Sequence, residues 1–335
     1  CPNTPRSIAA GDFNGDGKLD VALVRQGFRS VFIYPGDGHG GLGAPNAGLS
    51  SPPQRSSLVA ADFIPGGNFE VVSANAVFTL IGTLIGTFTT LAVGDFNGDG
   101  RLDIALADGF TGVSVFLLQA NGTFSRFFNS TSVFSGPADI AVGDFNGDGH
   151  LDFAVAKRGD PFLQLLPGHE VAIFFGNGAG GFTRQPDIQT GGDGPQSIVT
   201  GDFNHDGFID LAVLHFYSND VSIFLGNGQG HFSPSAQSPI SLPAGDNGAS
   251  LLGLDFNGDG KLDLAAATTG DHADDNRILV LFGDGEGGFT TSLEFNPGFP
   301  PRSIAAGDFD GDGLPDIAAS FFCGTEVKIL LNPLP

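Results

Sequence analysis

Asp12-Phe13-Asn14-Gly15-Asp16-Gly17-Lys18-Leu19-Asp20 decides how this chain folds, because the same nine-residue frame returns along its whole length. Close copies begin at Asp95, Asp144, Asp202, Asp255 and Asp308. A seventh, at Asp62, keeps the frame but has Pro65-Gly66-Gly67 where oxygen donors should stand. Successive copies are 33 to 58 residues apart. Periods of about fifty residues belong to propeller blades and comparable arrays, and such an array closes as one unit.

The surroundings of each loop repeat as well. A short apolar run precedes it, as in Ser7-Ile8-Ala9-Ala10 and Ser303-Ile304-Ala305-Ala306. A second run follows, such as Val21-Ala22-Leu23-Val24 or Leu211-Ala212-Val213-Leu214. A third comes next, such as Val31-Phe32-Ile33 or Val221-Ser222-Ile223-Phe224-Leu225, then a Gly-rich turn and a weaker fourth. These runs have strand length and β-branched enrichment, with no helical period. Four strands in each of seven units predict an all-β fold, a seven-bladed β-propeller of four-stranded antiparallel blades. It would form a single domain over residues 1–335, with blades starting near residues 6, 56, 89, 137, 195, 248 and 301. Phe13, Phe63, Phe96, Phe145, Phe203, Phe256 and Phe309 all hold the second loop position, where a large ring can wedge between blades that twist apart. The second unit, compressed to 33 residues, should have minimal turns.

The loop chemistry is that of a hard cation. Ca²⁺ takes six to eight oxygens in a flexible cage, often from an Asp-rich loop with Gly at its bend. Asp12, Asn14, Asp16 and Asp20 offer side-chain oxygens, Lys18 offers its backbone carbonyl, and Gly17 lets the chain turn back. The equivalent sets are Asp95, Asn97, Asp99, Arg101 and Asp103; Asp144, Asn146, Asp148, His150 and Asp152; Asp202, Asn204, Asp206, Phe208 and Asp210; Asp255, Asn257, Asp259, Lys261 and Asp263; and Asp308, Asp310, Asp312, Leu314 and Asp316. The seventh position is chemically diverse, which fits a backbone role. Asp, Asn and Gly are also ordinary turn residues. Plain turn chemistry does not explain six copies with Asp at the first, fifth and ninth positions. Oxygen-only donors favour Ca²⁺ over Zn²⁺, and dense carboxylates favour it over Mg²⁺. Six calcium sites are expected, with none at the Asp62 loop. An EF-hand is excluded, since strands follow the loop and the Glu at its twelfth position is missing.

Composition agrees. The formal charge is −23, from 37 acidic and 14 basic residues, which argues against nucleic-acid binding. Nineteen of those acidic residues lie at ligand positions. Without cations these clusters repel themselves, and six divalent ions would offset about half the net charge. The apolar stretch from Ala76 to Phe88, broken by Gly82 and Gly86, reads as short buried strands and not as a membrane span. Cys1 and Cys323 would both lie on the face opposite the loops, in neighbouring blades of a closed ring. A disulfide there would clamp the ring and imply an oxidising compartment. No signal peptide or initiator Met is present, so the chain is expected to start after a processed leader or at a cloning boundary.

On the Asp-x-[Asp/Asn]-x-Asp-Gly-x-x-Asp loops, almost the whole chain resembles the FG-GAP/VCBS repeat family, the calcium-loop propellers of integrin α-subunit heads and many bacterial secreted proteins. The resemblance implies a seven-bladed propeller with structural Ca²⁺ on one face, a secreted or cell-surface location and adhesion roles. The compressed second unit departs from that pattern.

Other motifs point to less. Gly36-x-Gly38-x-x-Gly41, Gly176-x-Gly178-x-x-Gly181 and Gly283-x-Gly285-x-x-Gly288 match a dinucleotide fingerprint, but each lies between strands and reads as a hairpin turn. Arg158-Gly159-Asp160 spells an integrin-recognition tripeptide in what should be an exposed loop. Asn121-Gly122-Thr123 and Asn129-Ser130-Thr131 are glycosylation sequons in a secreting eukaryote. No nucleophile elbow or acid–base pair stands apart from the ligand set, so no enzyme is expected. The expected function is a non-catalytic, calcium-stabilised extracellular binding or adhesion module, monomeric, without a membrane span. Its protein or glycan ligand would dock on the face opposite the loops, through 157–170 and 268–277. The alternatives are a lectin-like propeller, disfavoured by the absence of Trp, and the propeller domain of a secreted enzyme.

Overall fold

The computed structural model describes residues 4–25, 30–50, 57–63, 70–73, 76–77, 88–108, 112–130, 136–159, 167–243, 246–270, 276–322 and 327–334. Every named element is a β-strand, and neighbouring strands pair antiparallel. The first blade is β1 (Pro5–Gly11), β2 (Asp20–Arg25), β3 (Ser30–Tyr34) and β4 (Asn46–Ser50), in that order. Further along come β8 (Phe88–Gly94), β9 (Asp103–Asp108), β10 (Gly112–Leu118) and β11 (Phe124–Ser130), built the same way. So are β22 (Asp246–Leu254), β23 (Asp263–Gly270), β24 (Arg277–Gly283) and β25 (Phe289–Phe295).

Two blades have a divided outer strand. β12 (Pro137–Gly143), β13 (Asp152–Gly159) and β14 (Pro167–Gly176) carry both β15 (Phe182–Arg184) and β16 (Ile188–Gln189) against β14. β17 (Pro195–Gly201), β18 (Asp210–His215) and β19 (Asp220–Gly226) carry β20 (Phe232–Pro234) and β21 (Ile240–Ser241) against β19. Pro186 stands in the first gap and Pro239 in the second. Proline has no N–H to give a ladder, so the outer strand breaks there. The last blade is three-stranded among the described residues: β26 (Pro301–Gly307), β27 (Asp316–Phe321) and β28 (Val327–Leu330).

The expectation of seven four-stranded blades is therefore corrected. The protein is a six-bladed propeller with blades of three to five strands. The compressed second unit supplies only a rudimentary sheet, β5 (Leu58–Ala61), β6 (Glu70–Ser73) and β7 (Ala76–Val77), held between β1 and β8. Its strands are two to four residues long and no outer strand joins them among the described residues. The physical reason is length, since 33 residues cannot supply an acidic-type loop, a complete set of strands and their turns. Of the apolar stretch 76–88, residues 78–87 lie outside the described residues, as do Cys1 and Cys323. No helix among the described residues is long and apolar enough to cross a membrane.

The core lies between blades. Phe145 is buried with Ala141 and Ala154 of its own blade and with Ile198, Leu211 and Val213 of the next. Phe96 packs likewise against Ala172 and Phe174. The wedge reading of these rings holds: Phe63, Phe96, Phe145, Phe203, Phe256 and Phe309 are buried, and Phe13 is half-buried.

The inner strands share a second device. β1, β8, β12, β17, β22 and β26 all shift register near the start of the strand, and Ser7, Thr90, Asp139, Ser197, Ser250 and Ser303 stand just after the shift. Such irregularities re-aim a side chain, and most of these reach the following sheet. Leu58 N–H donates to Ser7 Oγ at 3.0 Å, Ile198 N–H to Asp139 Oδ2 at 3.1 Å, and Leu251 N–H to Ser197 Oγ at 3.2 Å. Ile8 N–H donates to Ser303 Oγ at 3.3 Å, joining the first blade to the last. Asp139 also accepts from Ser197 Oγ at 2.8 Å and Thr90 Oγ1 at 3.1 Å, so one carboxylate ties three blades. Ser197→Ala removes a donor from Asp139 and an acceptor from Leu251. It should cost about 1–3 kcal/mol, read as a lower urea midpoint at unchanged slope.

Candidate cation loops

Each acidic loop is the turn between a blade's innermost and second strands. The pairs Gly11↔Asp20, Gly94↔Asp103, Gly143↔Asp152, Gly201↔Asp210, Leu254↔Asp263 and Gly307↔Asp316 close the six loops at one end of the ring. The ninth-position Asp thus begins a strand and is buried, while the middle of each loop is exposed.

The side chains divide into two sets. The first Asp folds the loop about itself. Asp12 Oδ1 accepts from Gly15 N–H at 2.7 Å and Asp16 N–H at 3.2 Å, and Oδ2 accepts from Gly17 N–H at 2.8 Å. The pattern recurs at Asp144, Asp255 and Asp308. Gly15 and Gly17 take φ of 77° and 80°, a left-handed backbone that suits glycine. His205 replaces the first of these glycines in the Asp202 loop and keeps φ at 57°. The amides aimed at Asp12, that of Gly17 foremost, hold its carboxyl below the usual range.

The ninth-position Asp anchors the loop to the blade. Asp152 Oδ2 accepts from Phe145 N–H at 2.9 Å and Oδ1 from Gly176 N–H, at the end of the third strand, at 2.7 Å. Asp20, Asp103, Asp210, Asp263 and Asp316 repeat both bonds with their own partners. Burial pushes Asp103, Asp152 and Asp210 up to about 6, and raises Asp20, Asp263 and Asp316 in the same direction.

The third position separates the loops. Asn97, Asn146 and Asn204 turn their amide nitrogen to the fifth-position carboxylate, at 2.9, 3.1 and 2.9 Å, and soften its charge. Arg101 also pairs with Asp99. Asp310 has no amide nitrogen to offer. Carboxylate oxygens of Asp308, Asp310 and Asp316 all lie within 4.8 Å of one another, the one such acidic group among the described residues. Three carboxylates at that separation repel unless a cation or protons come between them. The donors are all oxygen, so the residues present fit Ca²⁺. Side chains at the seventh position lie along the blade's outer turn, His150 beside Gly178 and Phe208 beside Gly228, as expected if only their carbonyls serve a cation. At Asp62, Phe63 is buried but residues 64–69 lie outside the described residues.

A family profile described as FG-GAP-like repeat matches residues 3–64, 65–155, 162–213, 202–266 and 255–319. The chain belongs to the FG-GAP-like repeat family. Among solved structures, this FG-GAP-like propeller is similar to one titled "Crystal structure of BBS1N in complex with ARL6DN, soaked with lead". The identity is 14%, the alignment covers 99% of this chain and 93% of that one, and the TM-score is 0.65, a likeness of fold. A search of the curated proteins found no match.

The Gly36, Gly176 and Gly283 motifs are turns leading out of the third strands, as the hairpin reading expects. Arg158 and Gly159 of the tripeptide belong to the end of β13 and not to an exposed loop. Arg158 N–H donates to Gly136 O at 3.0 Å, and the guanidinium lies 4.0 Å from the centre of the Phe216 ring. Asp160 lies outside the described residues, as do 161–166 and 271–275 of the two proposed contact loops. Sequence reasoning overlooked Asp139 and its hydroxyl partners, although Ser, Thr or Asp stands five residues before every first loop Asp. It also overlooked the buried His215, whose Nδ1 lies 2.7 Å from Asp220 Oδ1. A single histidine in a strand carries no such signal.

Proposed function

We propose that the chain is a calcium-stabilised, non-catalytic interaction module working outside the cytoplasm. The convergence of Asp308, Asp310 and Asp316 carries this reading. It is a charged cage with oxygen donors only, repeated in weaker form around one face. Asp, Asn and backbone carbonyl oxygens of the six loops would hold the ions, and Ca²⁺ would supply the countercharge that lets the carboxylates stay ionised. Affinities on the order of 10⁻⁴–10⁻³ M suit extracellular calcium. Family membership supports an interaction role, and a propeller of this fold is captured in complex with another protein. The partner, a protein or a glycan, would meet the face opposite the loops, where blade-connecting segments are free of ligand duty. A Cys1–Cys323 bridge would fit the same compartment.

Equilibrium dialysis against calcium, with metal analysis of the retained protein, tests the reading. Six ions per chain are expected, with one fewer after Asp312→Asn. Binding of none at millimolar calcium would end it.

A further inference from the structure

The Gly-rich turns make a contact that the calcium reading does not use. In each, an Asp or Asn folds the turn by accepting two backbone amides, as Asn177 Oδ1 does from Ala179 and Gly181, both at 3.0 Å. The glycine amide between those two points out of the blade. Gly40 N–H donates to Phe309 O at 3.0 Å, Gly180 to Phe96 O at 3.0 Å, Gly230 to Phe145 O at 2.9 Å and Gly287 to Phe203 O at 3.1 Å. Each acceptor is the wedge Phe of the preceding blade's acidic loop. In the last blade the Asn332 side-chain amide does the same work, reaching Phe256 O at 2.7 Å.

Geometry leaves little choice of residue. The four glycines have φ from 79° to 81°. A Cβ at Gly230 would come within 2.1 Å of the Phe175 ring in the preceding blade, and one at Gly40 within 2.7 Å of Leu331. Aromatic contacts run in parallel. Phe96–Phe182, Phe145–Phe232 and Phe203–Phe289 meet edge to face at 5.5–5.6 Å across the same blade boundaries. The same wedge Phe also donates its own N–H to the ninth-position Asp. One peptide segment therefore links the buried carboxylate of one blade to the turn of the next. Among the described residues, no such contact reaches the Asp62 loop, the one without ligands. After Asp62, the next blade's turn closes on itself, Gln119 N–H to Thr123 O at 2.8 Å and Gly122 N–H to Gln119 O at 2.9 Å.

We infer that these turns are clasps, and that five of the six ligand-complete loops are two-blade sites whose backbone is positioned by the following blade. A cation in one loop is then felt in the next blade, and the Asp308 site, clasped by Gly40, fastens the last blade to the first. The inference rests on the calcium reading but adds a direction to it, from each loop to the next blade in chain order.

Hydrogen exchange with mass spectrometry on the full chain, in chelator and in millimolar calcium, tests it. Calcium should slow exchange in the turn at 36–43 as well as in the loop at 308–316. Asp312→Asn, a change at an exposed carboxylate, should abolish the slowing at 36–43 and leave that at 226–232 intact. Gly230→Ala should raise several-fold the calcium concentration needed to protect 144–152, with 308–316 unmoved. Protection confined to the blade that holds the altered loop, or an unshifted midpoint in Gly230→Ala, overturns the clasp while leaving calcium binding in place. Absence of any calcium response overturns both readings.

Discussion

Millimolar calcium should raise the Tm of chelator-stripped protein by several degrees. Each site that binds the folded chain alone adds about 0.4–1.4 kcal/mol when free calcium stands at about 1–10 times Kd, and the sites add together. Magnesium should do much less, because it dehydrates reluctantly and demands a tighter cage than these loops provide. The effect should also depend on pH in a defined direction. Without the ion, Asp103, Asp152 and Asp210 are pushed up to about 6 from the unfolded value of 3.8. The fold then holds more protons than the unfolded chain between those values. Stability of the stripped protein therefore falls as pH rises through that window, and the loss is complete above it. Calcium stabilises the ionised carboxylates, so its increment in Tm should be larger at pH 7 than at pH 5. Scanning calorimetry in chelator and in calcium at both pH values checks this. Equal increments at the two pH values would show that the buried carboxylates are not the ones meeting the ion.

The second large effect belongs to the anchor and not to the exposed ligands. Asp210→Ala strips the partner from Phe203 N–H and from Gly226 N–H, both buried behind a residue that is itself 0% exposed. Each buried amide left without a partner costs about 1–3 kcal/mol, so the variant should lose about 2–6 kcal/mol even in chelator. Asp206→Ala is the control. Its carboxylate is exposed and accepts from the Phe208 N–H and the Asn204 side-chain amide, both at 2.9 Å and both within its own loop. That variant should match the parent in chelator and fall behind only in calcium. Urea unfolding of both, with and without the ion, separates the roles. If the two behave alike in chelator, the ninth-position Asp is a ligand and nothing more.

Much of this arrangement was legible in the chain. Spacing placed the acidic loops, and the invariant second-position Phe pointed to the blade boundaries. Blade regularity was not legible. Counting loop frames treated the unit at Asp62 as equal to the others, although it is only 33 residues long and forms only the short strands β5–β7 among its described residues. Pro186 and Pro239 divide two outer strands, a local effect of missing N–H groups that a repeat count ignores. The ninth-position Asp looked like a ligand among ligands. Only the structure shows that both its oxygens are already engaged by backbone amides from two segments, which no pattern along one loop could reveal. The Gly-rich turns were read correctly as hairpins, yet their outward amides act on a neighbour some eighty residues earlier in sequence at Gly180 and at Gly230.

Uneven fastening around the ring has a mechanical consequence. Three boundaries combine a bonded glycine amide, an aromatic contact and a charged loop. The junction between the rudimentary sheet and β8 has the Phe63–Phe124 contact, 6.1 Å between centroids, but a turn that closes on itself and a loop stripped of donors. Under tension, or at the onset of unfolding, rupture should start at this hinge line and spread outward, so that the circle opens like a split washer while the other sectors keep their shape.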